Sequence, residues 1–385
     1  MCSAVLKDGV LNQLRRAYGS LALKLVELLA LPSKRLYVRV NTIKATREAV
    51  IGLLGKEGVI AHPDEYVPDA VYFEIEGPFA LECPSSKTIT VDVKTAVSLL
   101  LGANLYRPGV LKAKPFKEGE LLLAVTGKGV PVACIKAVHS YSEILYKQRG
   151  LVGINVCSPY KAPRIADTEA YIKGLIYPQS APSIITTHVL KPRAGELVID
   201  MNASPGGKTS HIVQLTRGRS RIIAIDRNEK KVEELRTTLT KLGLFVNVIV
   251  VPADSRYVHV DFNVHNADRV LIDPPCSNLG VRPLLDYTRT LKDVTSLSSY
   301  QKQFLKAASG ILKPGGVLVY STCTLTVDEN EENVVYAVEE LGLTPMEPEE
   351  PPPYAEKVSY KGIVAYRFSP FTEDMPGYFI AVLTK

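Results

Sequence analysis

A chain of 385 residues with 46% apolar content has room for two or three globular domains of about 150 residues each. Its six cysteines, at positions 2, 83, 134, 157, 276 and 323, form no Cys-x-x-Cys pair and lie at no metal-ligand spacing from histidine; this argues against a zinc site or a secreted disulfide scaffold and predicts a reducing, cytoplasmic setting. The net charge of +6 resides in one segment: residues 84–160 carry ten Lys/Arg and four Asp/Glu, leaving 36 of each elsewhere. That asymmetry marks either a module that grips a polyanion or a solvated basic face.

In chain order, the apolar stretch "LALKLVELLALPS" is interrupted by Lys24 and Glu27 and closed by Pro32, so it reads as an amphipathic helix and not a membrane span. "RLYVRVNT", the helical "TREAVIGLLGKEG" and strands near "GVIAH" and "AVYFEIEG" predict a small α+β unit over 1–83 that resumes at about 160–185. Residues 84–159 hold one helix and short strands with turns at Pro-Gly, Glu-Gly and Gly-Lys-Gly, the pattern of a compact β-barrel. From 186 to 385 the strands "GELVIDM", "SRIIAIDRN", "FVNVIVVPAD", "ADRVLIDPP" and "VLVYST" alternate with helices, and "GIVAYRF" and "GYFIAVLT" close the chain as an antiparallel pair. Continuous apolar strands alternating with helices predict an α/β fold whose parallel sheet is covered on both faces.

The chemistry gathers at the strand ends. In "DMNASPGGKTSH" an acidic strand end runs through a glycine turn into a helix start, which brings backbone amides to the carboxyl edge of the sheet, with Gly206 and Gly207 allowing close approach of a ligand. A P-loop is excluded because Asn202 stands where its first glycine is required. Asp226 ends the second strand, 26 residues after Asp200, where a ribose diol is held; Asp254 follows the third strand in the same way. These acids in register suit a nucleoside cofactor without phosphates, although any one of them alone could be a helix cap. "DPPCSNLG" places Asp273 and Cys276 at the end of the fourth strand, and "YSTCT" places Cys323 at the end of the fifth. Neighbouring parallel strands lie about 4.8 Å apart, so both thiols can share one pocket.

Together, "NASPGGKTSH", "AIDRNEKKVEEL", "PADSR", "LIDPPCSNLG" and "YSTCTLTVDENEENV" resemble the Nop/Sun-type RNA 5-methylcytosine methyltransferases. "LYVRVNTIK" is similar to that family's N-terminal RNA-recognition-like domain, and "GANLYRPGV" with "FKEGELLLAVTGKGVPVACIKA" resembles a PUA domain. The resemblance implies a Rossmann-like class I methyltransferase core with an inserted PUA β-barrel, S-adenosylmethionine as cofactor, and cytosine C5 of tRNA near the acceptor end (position 72) as target. It assigns Cys323 as the nucleophile, Cys276 as the base that releases product, and Asp273 to the edge of the base, with Lys208 as a cation that lowers a thiol pKa. It further assigns Asn202, Ala203, Ser204, Pro205, Gly206, Gly207 and Lys208 to the methionine end, Asp226 to the ribose and Asp254 to the adenine, with Lys231 and Asp273 as further cofactor-site candidates. Lys87, Lys94, Arg107, Lys112, Lys114, Lys117 and Lys128 are the candidate RNA contacts. The expected partner is RNA, the tRNA acceptor stem and 3′ end, with no membrane, no metal and a monomeric enzyme.

Three rivals stand beside this reading. An exocyclic-amine methyltransferase would carry an aromatic where Cys276 stands. A non-catalytic RNA-binding assembly factor has no need of both thiols. Ribosomal RNA is the alternative substrate. No stronger account than helix capping follows for the carboxylates of "VDENEEN".

Overall fold

The computed structural model describes residues 6–146, 148–262 and 264–385; Cys2 lies outside them. Three sheets organise the chain. The first is antiparallel, in the order Ile176–Pro178, Arg35–Val40, Ala70–Glu74, His62–Pro63. Its outer strand Ile176–Pro178 follows the second sheet in sequence, so the chain leaves this unit and returns to complete it. Helix Arg47–Lys56, capped by the Thr46 hydroxyl, packs Val50 and Leu54 against Val38, Val40, Val71 and Phe73.

The second sheet has six strands in the order Leu105–Tyr106, Leu151–Cys157, Pro131–Ala137, Leu121–Val125, Thr88–Val91, Val110–Ala113. The expected closed barrel is not what forms here: among the described residues the pairing is an open path. Its two end strands are joined through the short 3-10 turn Arg107–Gly109, so the sheet wraps round without hydrogen-bonding its edges together. The cysteine reading also needs correction, because Cys83 and Cys134 are disulfide-bonded with Cα atoms 5.3 Å apart. They are 51 residues apart in sequence, and only the fold of this unit brings them together.

The third sheet carries the strand ends of interest. Its order is Val248–Pro252, Arg221–Asp226, Leu197–Asp200, Ala267–Ile272, Leu312–Thr322, Tyr378–Thr384, Ile363–Phe368, Glu356–Tyr360, with Thr344–Pro345 also paired to Tyr378–Thr384. The first five strands are parallel and the remainder antiparallel. The strand order reverses between Leu197–Asp200 and Ala267–Ile272, and ligands of open α/β sheets bind outside the carboxyl ends of the strands at such a point. The fifth strand starts earlier than its apolar run, at Leu312, with a register shift where "KPGG" passes the fourth.

Helices Asp8–Tyr18 and Ala22–Leu29 belong to the site as much as to the N-terminal unit. Their Val10, Leu14, Leu25 and Leu29 pack against Leu279 and Leu325, which follow Cys276 and Cys323 closely in sequence. Each such leucine contributes about 1.5–3 kcal/mol by burial. Arg39 of the first sheet, 1% exposed, donates to Gly207 O (2.8 Å) and Ser210 Oγ (2.7 Å), anchoring that sheet to helix Gly207–Leu215.

Beside it, Asp69 receives His188 Nε2 (2.8 Å), His211 Nε2 (2.6 Å) and Gln214 Nε2 (3.0 Å). Burial pushes the His211 imidazole down to about 3, so it stays neutral. Burial alone would raise Asp69, but His211 and His188 outweigh it and hold the carboxyl below its ordinary range. Both shifts act in one direction. The unfolded chain protonates His211 below about 6.5 while the folded chain does not, so acidification through that value favours unfolding, and the Asp69 contribution is lost at still lower pH. The melting temperature is therefore expected to fall between about pH 7 and pH 5, less steeply in His211→Gln, in a thermal melt series across pH.

Candidate active site

Parallel pairing of Ala267–Ile272 with Leu312–Thr322, in register at Ile272 and Tyr320, brings the two cysteine loops side by side. Cys276 Sγ and Cys323 Sγ are 3.2 Å apart and unbridged. Both donate to one acceptor, Asn278 Oδ1, at 3.3 and 3.1 Å, and Asn278 holds a left-handed backbone (φ 59°) that turns its short amide back over the thiols. The loop is pinned at its far end, where Gly280 N donates to Cys323 O (3.0 Å) and Gly377 N donates to Gly280 O (2.7 Å). A Cβ at position 280 would lie 2.1 Å from Gly377 O, so this approach requires glycine.

The thiols differ in surroundings. Cys276 is 5% exposed, whereas Cys323 is half-buried. Hydrogen bonding to Cys323, then burial, then the charges of Cys323 and Glu329 push the Cys276 thiol up. Lys208 is engaged elsewhere. Burial works against its ammonium, but Asp273 and Tyr378 outweigh that and raise it. Lys208 is ion-paired to Asp273, with the Tyr378 ring centroid at 5.8 Å. The expected cation next to a thiol is thus a cation bound to a carboxylate.

A cleft of about 260 Å³ opens beside the thiols. Asn202, Ser204, Asp226, Lys231, Asp254 and Asp273 line it, as do both cysteines. Ser204 N donates to Asp226 Oδ2 (3.4 Å), and Lys231 Nζ stands 3.9 Å from that oxygen. Asp254 has both oxygens engaged by Arg256 Nε, at 2.9 and 3.1 Å. Ala203, Pro205, Gly206, Gly207 and Lys208 lie outside the lining. The glycine at 206 also answers a packing demand: its φ is +108°, and a Cβ there would meet Leu235 Cδ1 at 2.9 Å. Asp200, the first strand-end acid, is fully buried, accepts from Thr209 Oγ1 (2.6 Å), and is raised to about 6 by burial.

The basic candidates divide. Lys94, Lys112, Lys114 and Lys117 are exposed, with Lys112 on the edge strand Val110–Ala113 and Lys114 just beyond it. Lys87 pairs with Glu120 (2.6 Å), Arg107 donates to Ile144 O (2.8 Å), and Lys128 Nζ donates to Tyr287 O (3.0 Å). The latter three are engaged within the protein.

Sequence reading missed Asn278, Tyr300, Phe304 and Glu329. Asn278 carried a signal, since it lies in the turn "SNLG". Tyr300 and Phe304 come from helix Leu291–Ile311, whose 3.6-residue spacing marks an apolar face without saying what the face meets.

Residues 187–384 match the family model described as 16S rRNA methyltransferase RsmB/F, and residues 10–80 match the RsmF/B-like ferredoxin-like domain. The chain belongs to the Nop/Sun, or RsmB/F, methyltransferase family. Within this family, the tRNA (cytosine(72)-C(5))-methyltransferase of Pyrococcus horikoshii is 38% identical over 382 residues, 97% of this chain and 96% of that protein. The human tRNA (cytosine(72)-C(5))-methyltransferase NSUN6 is 30% identical over 366 residues, 85% of this chain and 77% of its own length. The crystal structure of NSun6 from Pyrococcus horikoshii with SFG matches at a TM-score of 0.91 and 36% identity, covering 100% of this chain and 99% of that one. The N-terminal unit is accordingly ferredoxin-like, and the core is a Rossmann-like methyltransferase.

Proposed function

We propose that this chain is a tRNA (cytosine-5) methyltransferase acting on cytosine 72 of the acceptor end with S-adenosylmethionine as methyl donor. The observation that carries the reading is the unbridged thiol pair, 3.2 Å apart, beside a cleft suited to a nucleoside. Cytosine C5 is too weak a nucleophile to take a methyl group unaided. Addition of the Cys323 thiolate to C6 breaks the ring's conjugation and makes C5 nucleophilic. Cys323 suits attack because it is the more exposed thiol. Cys276 is buried and pushed up, so its own proton must first pass to solvent through the cleft; the thiolate then formed is a strong base, which suits removal of the C5 proton after methylation. Loss of that proton expels the Cys323 thiolate from C6 and restores the ring. Asp273, held by Lys208, accepts from the cytosine amino group.

The cleft fits the cofactor on its own chemistry. Asn202 Oδ1 is a buried acceptor with no partner, and the amino acid end of S-adenosylmethionine carries an ammonium donor. Asp226 is placed for a ribose diol, with Lys231 beside it, and Tyr300 and Phe304 supply an apolar wall for the adenine. Asp254 keeps spare lone pairs for the adenine amino group despite Arg256. The turn from Ala203 to Lys208 shapes the methionine end from behind. Bound there, S-adenosylmethionine supplies an electrophilic methyl group. The relative from Pyrococcus horikoshii was solved with SFG, an S-adenosylmethionine analogue, which supports S-adenosylmethionine as the cofactor here.

The domain reading is 1–83 with about 160–185 as the ferredoxin-like unit, 84–159 as a PUA-type RNA-binding module, and 186–385 as the catalytic unit. The mixed sheet with helix Val93–Leu100 and a basic edge supports the PUA assignment. The target base leaves its stack to reach the thiols, which costs least at a helix end. Thiols that work only while reduced favour the cytoplasm, and no described helix is long and apolar enough to cross a membrane.

Greater likeness to tRNA-directed relatives favours tRNA over ribosomal RNA: the Pyrococcus horikoshii tRNA enzyme is 38% identical over 97% of the chain, whereas a ribosomal RNA enzyme of Arabidopsis thaliana is 26% identical over 93% and that of Vibrio cholerae matches only 60%. Transfer of tritiated methyl onto separated tRNA and ribosomal RNA pools, with mapping of 5-methylcytidine, tests this. Label on ribosomal RNA alone, or on an exocyclic nitrogen, overturns it. Replacing Lys112 and Lys114 by Glu is expected to weaken tRNA binding and to lower the slope of log affinity against log salt by about two. An unchanged slope removes this edge from the RNA face.

A further inference from the structure

The acidic segment that follows Cys323 has no role in the mechanism above, yet it holds a fully buried carboxylate. Glu329 is 0% exposed. Its Oε1 accepts the backbone N–H of Ser277 (2.8 Å) and Gln301 Nε2 (3.0 Å). Its Oε2 accepts the hydroxyls of Ser277 (2.5 Å), Thr326 (2.7 Å) and, at the limit of range, Thr324 (3.5 Å). The Ser277 and Thr324 hydroxyls are 2.7 Å apart, and Gln301 Nε2 also donates to Pro275 O (3.0 Å). Pro275 and Ser277 flank Cys276, and Thr324 follows Cys323. The neighbours of both thiols therefore converge on a single side chain. Only neutral donors hold it, and a buried carboxylate held this way is costly compared with apolar packing.

We propose that Glu329 is a positioning residue for both thiols, tying the loop of Cys276 to the loop of Cys323 and so setting the separation on which proton removal and nucleophilic attack depend. The inference rests on the two-thiol reading given under the proposed function. Geometry and charge work together here. After Cys323 and burial, Glu329 is the next cause that keeps the proton on Cys276; Tyr287 and Tyr320 couple to the same thiol, and Asp273, paired with Lys208, lines the same cleft. Removing the carboxylate charge therefore loosens both loops and releases the Cys276 proton more readily.

Glu329→Gln keeps the shape, removes the charge, and turns one acceptor into a donor facing donors. A misplacement of about 1 Å can cost about 100-fold in rate, so kcat is expected to fall by about that factor, with KM for tRNA and Kd for S-adenosylmethionine within about two-fold of the parent. A second readout needs no RNA. In a Cys323→Ser background, alkylation of Cys276 by iodoacetamide, followed by peptide mass across pH, is expected to show a midpoint lower by about one pH unit when Glu329→Gln is added. A kcat within about two-fold of the parent, an unmoved alkylation midpoint, or loss of cofactor binding together with kcat each overturns the proposal. If the parent protein does not methylate tRNA, the functional reading fails by itself, and the alkylation series still decides whether Glu329 governs Cys276.

Discussion

Cys323→Ala is expected to lose methyl transfer by about 1,000-fold or more while binding S-adenosylmethionine as the parent does. The proposed chemistry begins with a bond from this sulfur to C6, and no neighbouring group can replace it. Cys276 is 3.2 Å away, but it is buried and pushed toward its protonated form by Cys323, burial and Glu329. Asn278 Oδ1 loses one of its two thiol donors in the variant and keeps the other, so the loop stays held. Cofactor binding is expected to survive because the groups assigned to it, Asn202 and Asp226, contact neither sulfur. Calorimetry with S-adenosylmethionine, beside a tritiated-methyl assay on tRNA, separates the two effects. Near-parent turnover would remove Cys323 from the nucleophile's role.

Cys276→Ala is expected to give the opposite phenotype. Addition and methylation proceed, but the C5 proton has no base, so enzyme and methylated RNA stay joined through Cys323. The RNA should then migrate with the protein on a denaturing gel, and multiple turnover should fall by about 100- to 10,000-fold, the usual range for a lost general base. The paired variants also decide the division of labour. If Cys323→Ala accumulates the adduct and Cys276→Ala is inert, the roles are exchanged. That result would require Cys276 to ionise first, against its burial and both of its charged neighbours.

The parts of this site that were legible in the sequence are those set by strand ends. "DPPCS" and "STCT" each follow an apolar run long enough to be a buried strand, so both cysteines had to emerge at one edge of the sheet once the strands proved to be parallel. Asp226 was legible in the same way, at the end of the second strand. The partners of Lys208 and Asp254 were not legible, because an ion pair depends on side-chain directions that periodicity does not specify. Gly206 was legible as a glycine, but the close approach of Leu235 to it was not.

The sequence by itself determined the alternation of strands and helices, the family and the identity of the two thiols, because local hydrophobic period and short motifs carry that information. The tertiary structure decided what long-range pairing alone can decide. It left the second sheet open, joined Cys83 to Cys134, and gathered Pro275, Ser277, Thr324 and Gln301 around Glu329. Glu329 lies 52 residues from Ser277 along the chain, and the two meet only because the fourth and fifth strands of the large sheet run parallel and in register. A carboxylate in an acidic surface-like run carries no local mark of burial; its donors come from three separate segments, and their convergence is a property of the fold.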